Sequence, residues 1–161
     1  MTSIPSLGPR GEGWVALQFA CLALVAGAVL VAPPASGTGP AEGVRTIGAV
    51  VTLLGATIFV LGAAMLARSR SLTALPYPRD DAALVAAGPY RLVRHPIYAG
   101  LILGSLGLAL LTPWAGSLVA VALLATVLDL KRRREEAWLL QRFPGYDAYR
   151  RRTKAFVPFL Y

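Results

Sequence analysis

The single histidine of this 161-residue chain, His95, lies in the run Arg94-His95-Pro96-Ile97-Tyr98. Proline favours the first turn of a helix, where its missing N–H is no loss. Pro96 therefore starts a helix and puts His95 at its cap, beside free backbone N–H groups. Tyr98 follows one turn on, and Gly100 leaves room for a ligand or another helix. A second polar cluster, Lys131-Arg132-Arg133-Arg134-Glu135-Glu136, is followed by Tyr146 and Tyr149. Neighbouring helical residues point about 100° apart, so the two glutamates take different parts. One can face a pocket, and the other can pair with solvent or an arginine. A carboxylate in a pocket suits ribose hydroxyls or an ammonium group. The plainer alternative is a surface helix with an i,i+4 pair between Lys131 and Glu135. One histidine and one cysteine do not make a zinc site. There is no glycine-rich phosphate loop and no strand pattern for one to follow. The basic residues come without base-reading or stacking groups, so no nucleic-acid partner is expected.

What positions these clusters is a set of apolar helices. The chain is 56% hydrophobic and 15% charged, against about 25% charge in soluble domains. Three stretches carry no charged side chain: Trp14 to Ala32, Thr46 to Ala67 and Pro96 to Leu128. About 20 apolar residues cross a bilayer as a helix, so the first two stretches supply one crossing each. The third is too long for one helix and breaks at Thr112-Pro113, giving helices over 96–111 and 114–130 joined by a tight hairpin. The expected fold is all-α: an integral membrane bundle of four transmembrane helices with a cytoplasmic C-terminal helical segment. A re-entrant hairpin over 96–130 is the alternative, and a cleaved signal peptide is the weaker alternative for the first stretch.

Lysine and arginine concentrate in 68–95 and from 131 onward, giving a net charge of +8. Such segments stay inside, so both termini and the polar clusters are expected on the cytoplasmic face of the inner membrane. The chain reads as one domain, residues 1–67 providing two helices and 68–161 the core that carries the clusters. Residues 33–43 read as an exposed external loop. Gly48, Gly55 and Gly62, seven apart, read as a packing face. Lys131 to Arg142 continues the fourth helix, Pro144-Gly145 stops it, and a short helix is expected over Tyr146 to Arg152. The end, from Phe156, is apolar enough to lie on the membrane surface or to close over something.

The run GPYRLVRHPIYAG, a helical hairpin and then RRREEAWLLQRFPGYDAYRRRTKAFVPF resembles the isoprenylcysteine carboxyl methyltransferase and phospholipid methyltransferase superfamily. The resemblance covers about residues 84–159. It implies S-adenosylmethionine as cofactor, in a cytoplasmic pocket roofed by the C-terminal segment. Carried over, Leu84, Val85, Tyr90, His95, Pro96, Ile97, Tyr98, Gly100, Glu135 and Glu136 would bind the cofactor. Arg94 and His95 would serve catalysis, and Lys131 and Arg132 the substrate. Two positions depart from the family pattern. Lys131 stands where an arginine is usual and loses the bidentate fork, and Ala82 stands where the prenylcysteine enzymes have a histidine. The acceptor is expected to be a membrane lipid or a prenylated small molecule or protein, such as an isoprenylcysteine-type carboxylate. A phospholipid or amine N-methyltransferase, an NADPH-dependent membrane reductase and a non-enzymatic membrane protein remain alternatives. Oligomeric state is left open.

Overall fold

The computed structural model describes residues 4–33 and 40–158. Five α-helices follow in order: α1 Glu12–Leu30, α2 Pro40–Arg68, α3 Pro96–Leu111, α4 Ala115–Arg142 and α5 Tyr146–Arg152. A 3-10 turn, Gly88–Arg91, precedes α3. Among the described residues the one β feature is an isolated parallel bridge between Val93 and Lys154. The all-helical expectation therefore holds. Two helices, α1 and the Glu42–Arg68 part of α2, are long and apolar enough to cross a bilayer, and α3 is apolar but shorter. Apolar side chains point outward from all four long helices: Phe19 and Leu24 of α1, Val50 and Leu53 of α2, Leu108 of α3, Val119 and Leu123 of α4. A soluble monomer rarely leaves so much contiguous apolar surface uncovered.

Local chemistry accounts for the helix ends. α3 begins at Pro96 and stops before Thr112-Pro113. α4 ends at Arg142, immediately before Phe143-Pro144-Gly145. The expected loop over 33–43 is corrected: α2 already starts at Pro40, so Gly43 is helical, and residues 34–39 lie outside the described residues. Proline at a first helical turn costs no hydrogen bond, which is why a Pro-rich stretch runs directly into the helix.

The most extensive helix contact is α2 against α3, and it is a contact of glycines. A Cβ on Gly55 would meet the Gly104 backbone nitrogen at 2.2 Å. One on Gly48 would meet the Gly107 carbonyl at 2.9 Å, and one on Gly62 would meet Ile97 Cγ1 at 3.1 Å. The approach is reciprocal, since a Cβ on Gly107 would lie 2.3 Å from the Thr52 nitrogen. Small residues let helices pack backbone to backbone where lipid provides no hydrophobic drive. α1 lies against α4 around a core of Val25, Ala120, Val121, Leu124 and Leu128. Cys21 packs on that core as a small apolar side chain. Trp114 Nε1 donates to the Ala28 carbonyl at 2.9 Å, tying the α3–α4 turn to the end of α1.

Gly55→Leu is expected to lower the melting temperature in detergent sharply, because overpacking costs about 1–3 kcal/mol and backbone contacts cannot yield as a side chain does. Gly27→Ala, where an added Cβ meets nothing within 4 Å, is expected to leave it unchanged or raise it. Equal effects of the two substitutions would contradict the backbone-packing account.

Candidate active site

The two polar clusters meet at one end of the α3–α4 hairpin. Glu136 is buried and forms the centre of the meeting. Its Oε1 accepts from Arg94 Nε at 2.9 Å, lies 3.1 Å from His95 Nε2 and is 3.5 Å from Arg132 Nη1. Arg150 Nε stands 3.9 Å from the other oxygen. Burial alone would raise this carboxyl, but hydrogen bonds and charge from His95 and Arg94 outweigh it and hold the pKa at about 2. The adjacent Glu135 points elsewhere, as adjacent helical positions require. Tyr98 Oη donates to Glu135 Oε2 at 2.8 Å, and His95 Nδ1 lies 3.8 Å from the same oxygen. His95 thus stands between the two glutamates, its ring stacked on Tyr98 at 5.4 Å.

A segment after α5 closes this arrangement. Arg94 N donates to the Lys154 carbonyl at 2.8 Å, and His95 N donates to the Ala155 carbonyl at 3.1 Å. Arg94 Nη1 donates to the carbonyls of Arg150 and Thr153. Phe156 sets its ring edge-on to His95 at 6.3 Å, under the Arg132 guanidinium. The described part of the C-terminal end therefore closes over the histidine block, and residues 159–161 lie outside the described residues.

Beside this network is a cavity of about 660 Å³, walled by α1, α2, the 71–85 loop, the 3-10 turn, α3 and α4. Small-molecule sites span about 300–1,000 Å³. Its polar groups include Gln18, Tyr98, Lys131 and Glu135, and Phe19, Leu22, Phe59 and Leu101 are among its apolar ones. The loop is fixed by Ser71, whose hydroxyl accepts from Ala83 N at 3.1 Å, and by Tyr77, edge-on to Trp138 at 5.4 Å.

Of the residues expected at a site, Leu84, Val85, Tyr90, Arg94, His95, Ile97, Tyr98, Lys131 and Glu135 line this cavity. Four do not. Gly100 is buried against α2, where a Cβ would meet the Phe59 nitrogen at 2.6 Å, so it serves helix packing instead of a ligand. Pro96 is buried beside Gly62 and shapes the start of α3. Glu136 and Arg132 belong to the ion network behind the wall, with Arg132 Nε held by Asp129 at 3.0 Å.

One lining group, Gln18, has little signal in the sequence, and a second, Tyr146, stands beside the second polar cluster without a role that the sequence defines. Lys131 Nζ donates to Gln18 Oε1 at 2.6 Å and to the Ala74 carbonyl at 2.7 Å. Gln18 is a lone buried polar group in an uncharged stretch, and that oddity was its one clue. Tyr146 is 1% exposed and lines the cavity, yet its hydroxyl has no hydrogen-bond partner among the described residues. Burial pushes the Tyr90 and Tyr146 hydroxyls well above the ordinary tyrosine value, and Tyr149 to about 12. All three are protonated donors at neutral pH. Tyr149 Oη donates to the Tyr90 carbonyl at 2.7 Å.

The sequence profile of the phospholipid methyltransferase family matches residues 44–145, which include Arg94, His95, Arg132, Glu135 and Glu136 but not Arg150 of α5. The chain is 38% identical over 119 residues to the cobalt-zinc-cadmium resistance protein CzcN of Cupriavidus metallidurans, covering 71% of the chain and 54% of that protein. It is 37% identical over 107 residues to the nickel-cobalt-cadmium resistance protein NccN of Alcaligenes xylosoxydans xylosoxydans, covering 63% and 49%. A probable protein-S-isoprenylcysteine O-methyltransferase of Oryza sativa subsp. indica is 29% identical over 119 residues, covering 73% and 62%. The chain spans about half the length of the two bacterial relatives it matches.

Glu136 titrates below its ordinary value of 4.5, so its contribution to stability is complete above pH 4.5 and is lost as pH falls toward about 2. The melting temperature of the parent protein in detergent is expected to fall across that window. Glu136→Gln is expected to melt lower at neutral pH, by the equivalent of about 3–5 kcal/mol for a broken buried pair, and to show a flatter acid limb. Parallel acid limbs for parent and variant would remove Glu136 from the centre of the network.

Proposed function

The chain belongs to the phospholipid methyltransferase family, and we propose that it is an integral membrane enzyme that methylates a lipophilic acceptor from S-adenosylmethionine. The observation that carries this reading is the division of labour between the two glutamates. Glu136 is consumed by the ion network, which leaves Glu135 at the cavity wall with one oxygen held by Tyr98. A carboxylate fixed in this way accepts from ribose hydroxyls or an ammonium group.

The residues present fit such a cofactor. The cavity has the volume for it, Glu135 supplies a charged acceptor, and Tyr146 offers a buried hydroxyl donor that has no other partner among the described residues. Glu135, Tyr98, Tyr90 and Tyr146 would hold it, with Leu84 and Val85 on the loop side. When bound, S-adenosylmethionine supplies an electrophilic methyl group on a sulfonium. His95 holds Tyr98 and Glu135 in place by stacking on one and bridging the two glutamates. The strap from Lys154 to Phe156 excludes water from the histidine side. A carboxylate acceptor needs no general base, so orientation and exclusion of water can supply most of the rate. Lys131, held by Gln18 and Ala74, presents a cation to the acceptor's anionic group, and the apolar wall suits its hydrocarbon part.

The membrane arrangement belongs to the same proposal. Sixteen residues of α3 rise about 24 Å against a core of about 30 Å, so α3 and the apolar half of α4 cross with local thinning of the bilayer. The positive-inside rule supports a cytoplasmic position for the basic clusters, the site beside them and both termini. An acceptor reaches the apolar wall from the bilayer, and the cofactor reaches Glu135 from water. The two bacterial relatives are named for metal resistance. Among the described residues no three His, Cys, Asp or Glu side chains gather where they could hold a metal ion.

Calorimetry with S-adenosylhomocysteine on purified protein is expected to give saturable binding. Glu135→Gln is expected to weaken it about tenfold or more, the loss of one charged hydrogen bond, with the melting temperature near that of the parent. Binding of NADPH in place of S-adenosylhomocysteine would overturn the reading. Lys131→Met is expected to raise the KM for an anionic acceptor in a labelled-methyl assay while leaving S-adenosylhomocysteine affinity within about twofold.

A further inference from the structure

A second cleft, of about 290 Å³, opens on the other side of the ion network, where α5 and the strap meet Arg94 and Arg132. Six cations line it: Arg94, Arg132, Arg150, Arg151, Arg152 and Lys154. Among the described residues no Asp or Glu is in its wall. Carboxylates engage these cations from outside the cleft. Glu136 holds Arg94 and Arg132 and approaches Arg150, Asp129 holds Arg132, and Asp147 holds Arg151. Among the described residues Arg152 and Lys154 have no carboxylate partner, Arg152 donating only to the Ala148 carbonyl at 3.3 Å.

The positive-inside rule accounts for cations on this face of the protein, but not for their convergence on one concave wall. A cleft of a single sign focuses its field and draws a counter-ion into it. Guanidinium groups match phosphate oxygens in geometry as well as charge. We propose that this cleft binds a phosphate-bearing anion, met either in an anionic lipid headgroup or as free phosphate. Leu92 and Val157 are exposed apolar side chains on the two segments joined at the Val93–Lys154 bridge. They lie within two residues of the cleft-lining Arg94 and Ala155 along the chain. The site has a route to the larger cavity. Arg94 lines both, and it also holds the strap through the Arg150 and Thr153 carbonyls. An anion in the cleft braces the strap that closes over His95.

Protein in an uncharged detergent is titrated at fixed ionic strength with sodium phosphate and, separately, with dihexanoyl phosphatidylglycerol. Melting temperature and phosphorus-31 line width are followed. The parent is expected to bind saturably and to melt higher when loaded. Arg151→Gln/Arg152→Gln/Lys154→Gln is expected to weaken the midpoint about tenfold or more, and Lys154→Gln alone to give part of that loss. Arg68→Gln/Arg70→Gln/Arg142→Gln removes the same charge elsewhere and is expected to shift it less than about twofold. Saturation by the lipid alone assigns a headgroup. Similar midpoints for both ligands assign free phosphate. No saturation by either, or equal weakening in the cleft and control variants, overturns the site.

Discussion

The site is organised by one buried carboxylate. Glu136 is buried, and an ionised carboxylate in that position is stable only with cations and donors around it. Arg94 and His95 arrive from the segment before α3, Arg132 from the turn of α4 below, and Arg150 from α5. Three pieces of chain, the segment before α3, α4 itself and α5, are therefore held in register by a single side chain. Because Glu136 faces this network, its neighbour Glu135 must face away, and away from the network is the cavity. The position of the proposed cofactor carboxylate is thus a geometric consequence of where the structural one has to be.

The glycine contact between α2 and α3 serves the same end. The charge network sits at the first turn of α3, so its geometry depends on the placement of that helix. Backbone contacts at Gly55 and Gly104 fix the placement more rigidly than interleaved side chains would. They also bring α2 close enough for Phe59 and Ala63 to wall the cavity. Helix packing, ion network and cavity are one construction, and the strap from α5 completes it from outside.

Much of this was legible in the sequence, for identifiable reasons. The bounds of α3 and α5 followed from Pro96, from Thr112-Pro113 and from Pro144-Gly145, because proline and glycine act locally. The stripe of Gly48, Gly55 and Gly62 announced a helix contact by its period. The different roles of Glu135 and Glu136 followed from helical geometry, but which glutamate took which role depended on the partners each could reach, and no periodicity records that. Gly100 is the instructive displacement: a glycine beside a polar motif fits a ligand or a helix equally well, and only the position of Phe59 decides for the helix. Gln18 was hidden because its role arises from a contact with Lys131 across 113 residues, whereas Tyr146, visible beside the second polar cluster, owes its role to the cavity it lines.

The central claim is that the cavity faced by Glu135 holds a methyl donor. It is tested most directly by ultraviolet cross-linking of methyl-labelled S-adenosylmethionine to the purified protein, followed by peptide mapping. The account predicts label on peptides containing Tyr90 to Tyr98 or Glu135 to Tyr146, displaced by S-adenosylhomocysteine and not by NADPH. Label confined to peptides remote from the cavity, or none that S-adenosylhomocysteine displaces, would contradict it.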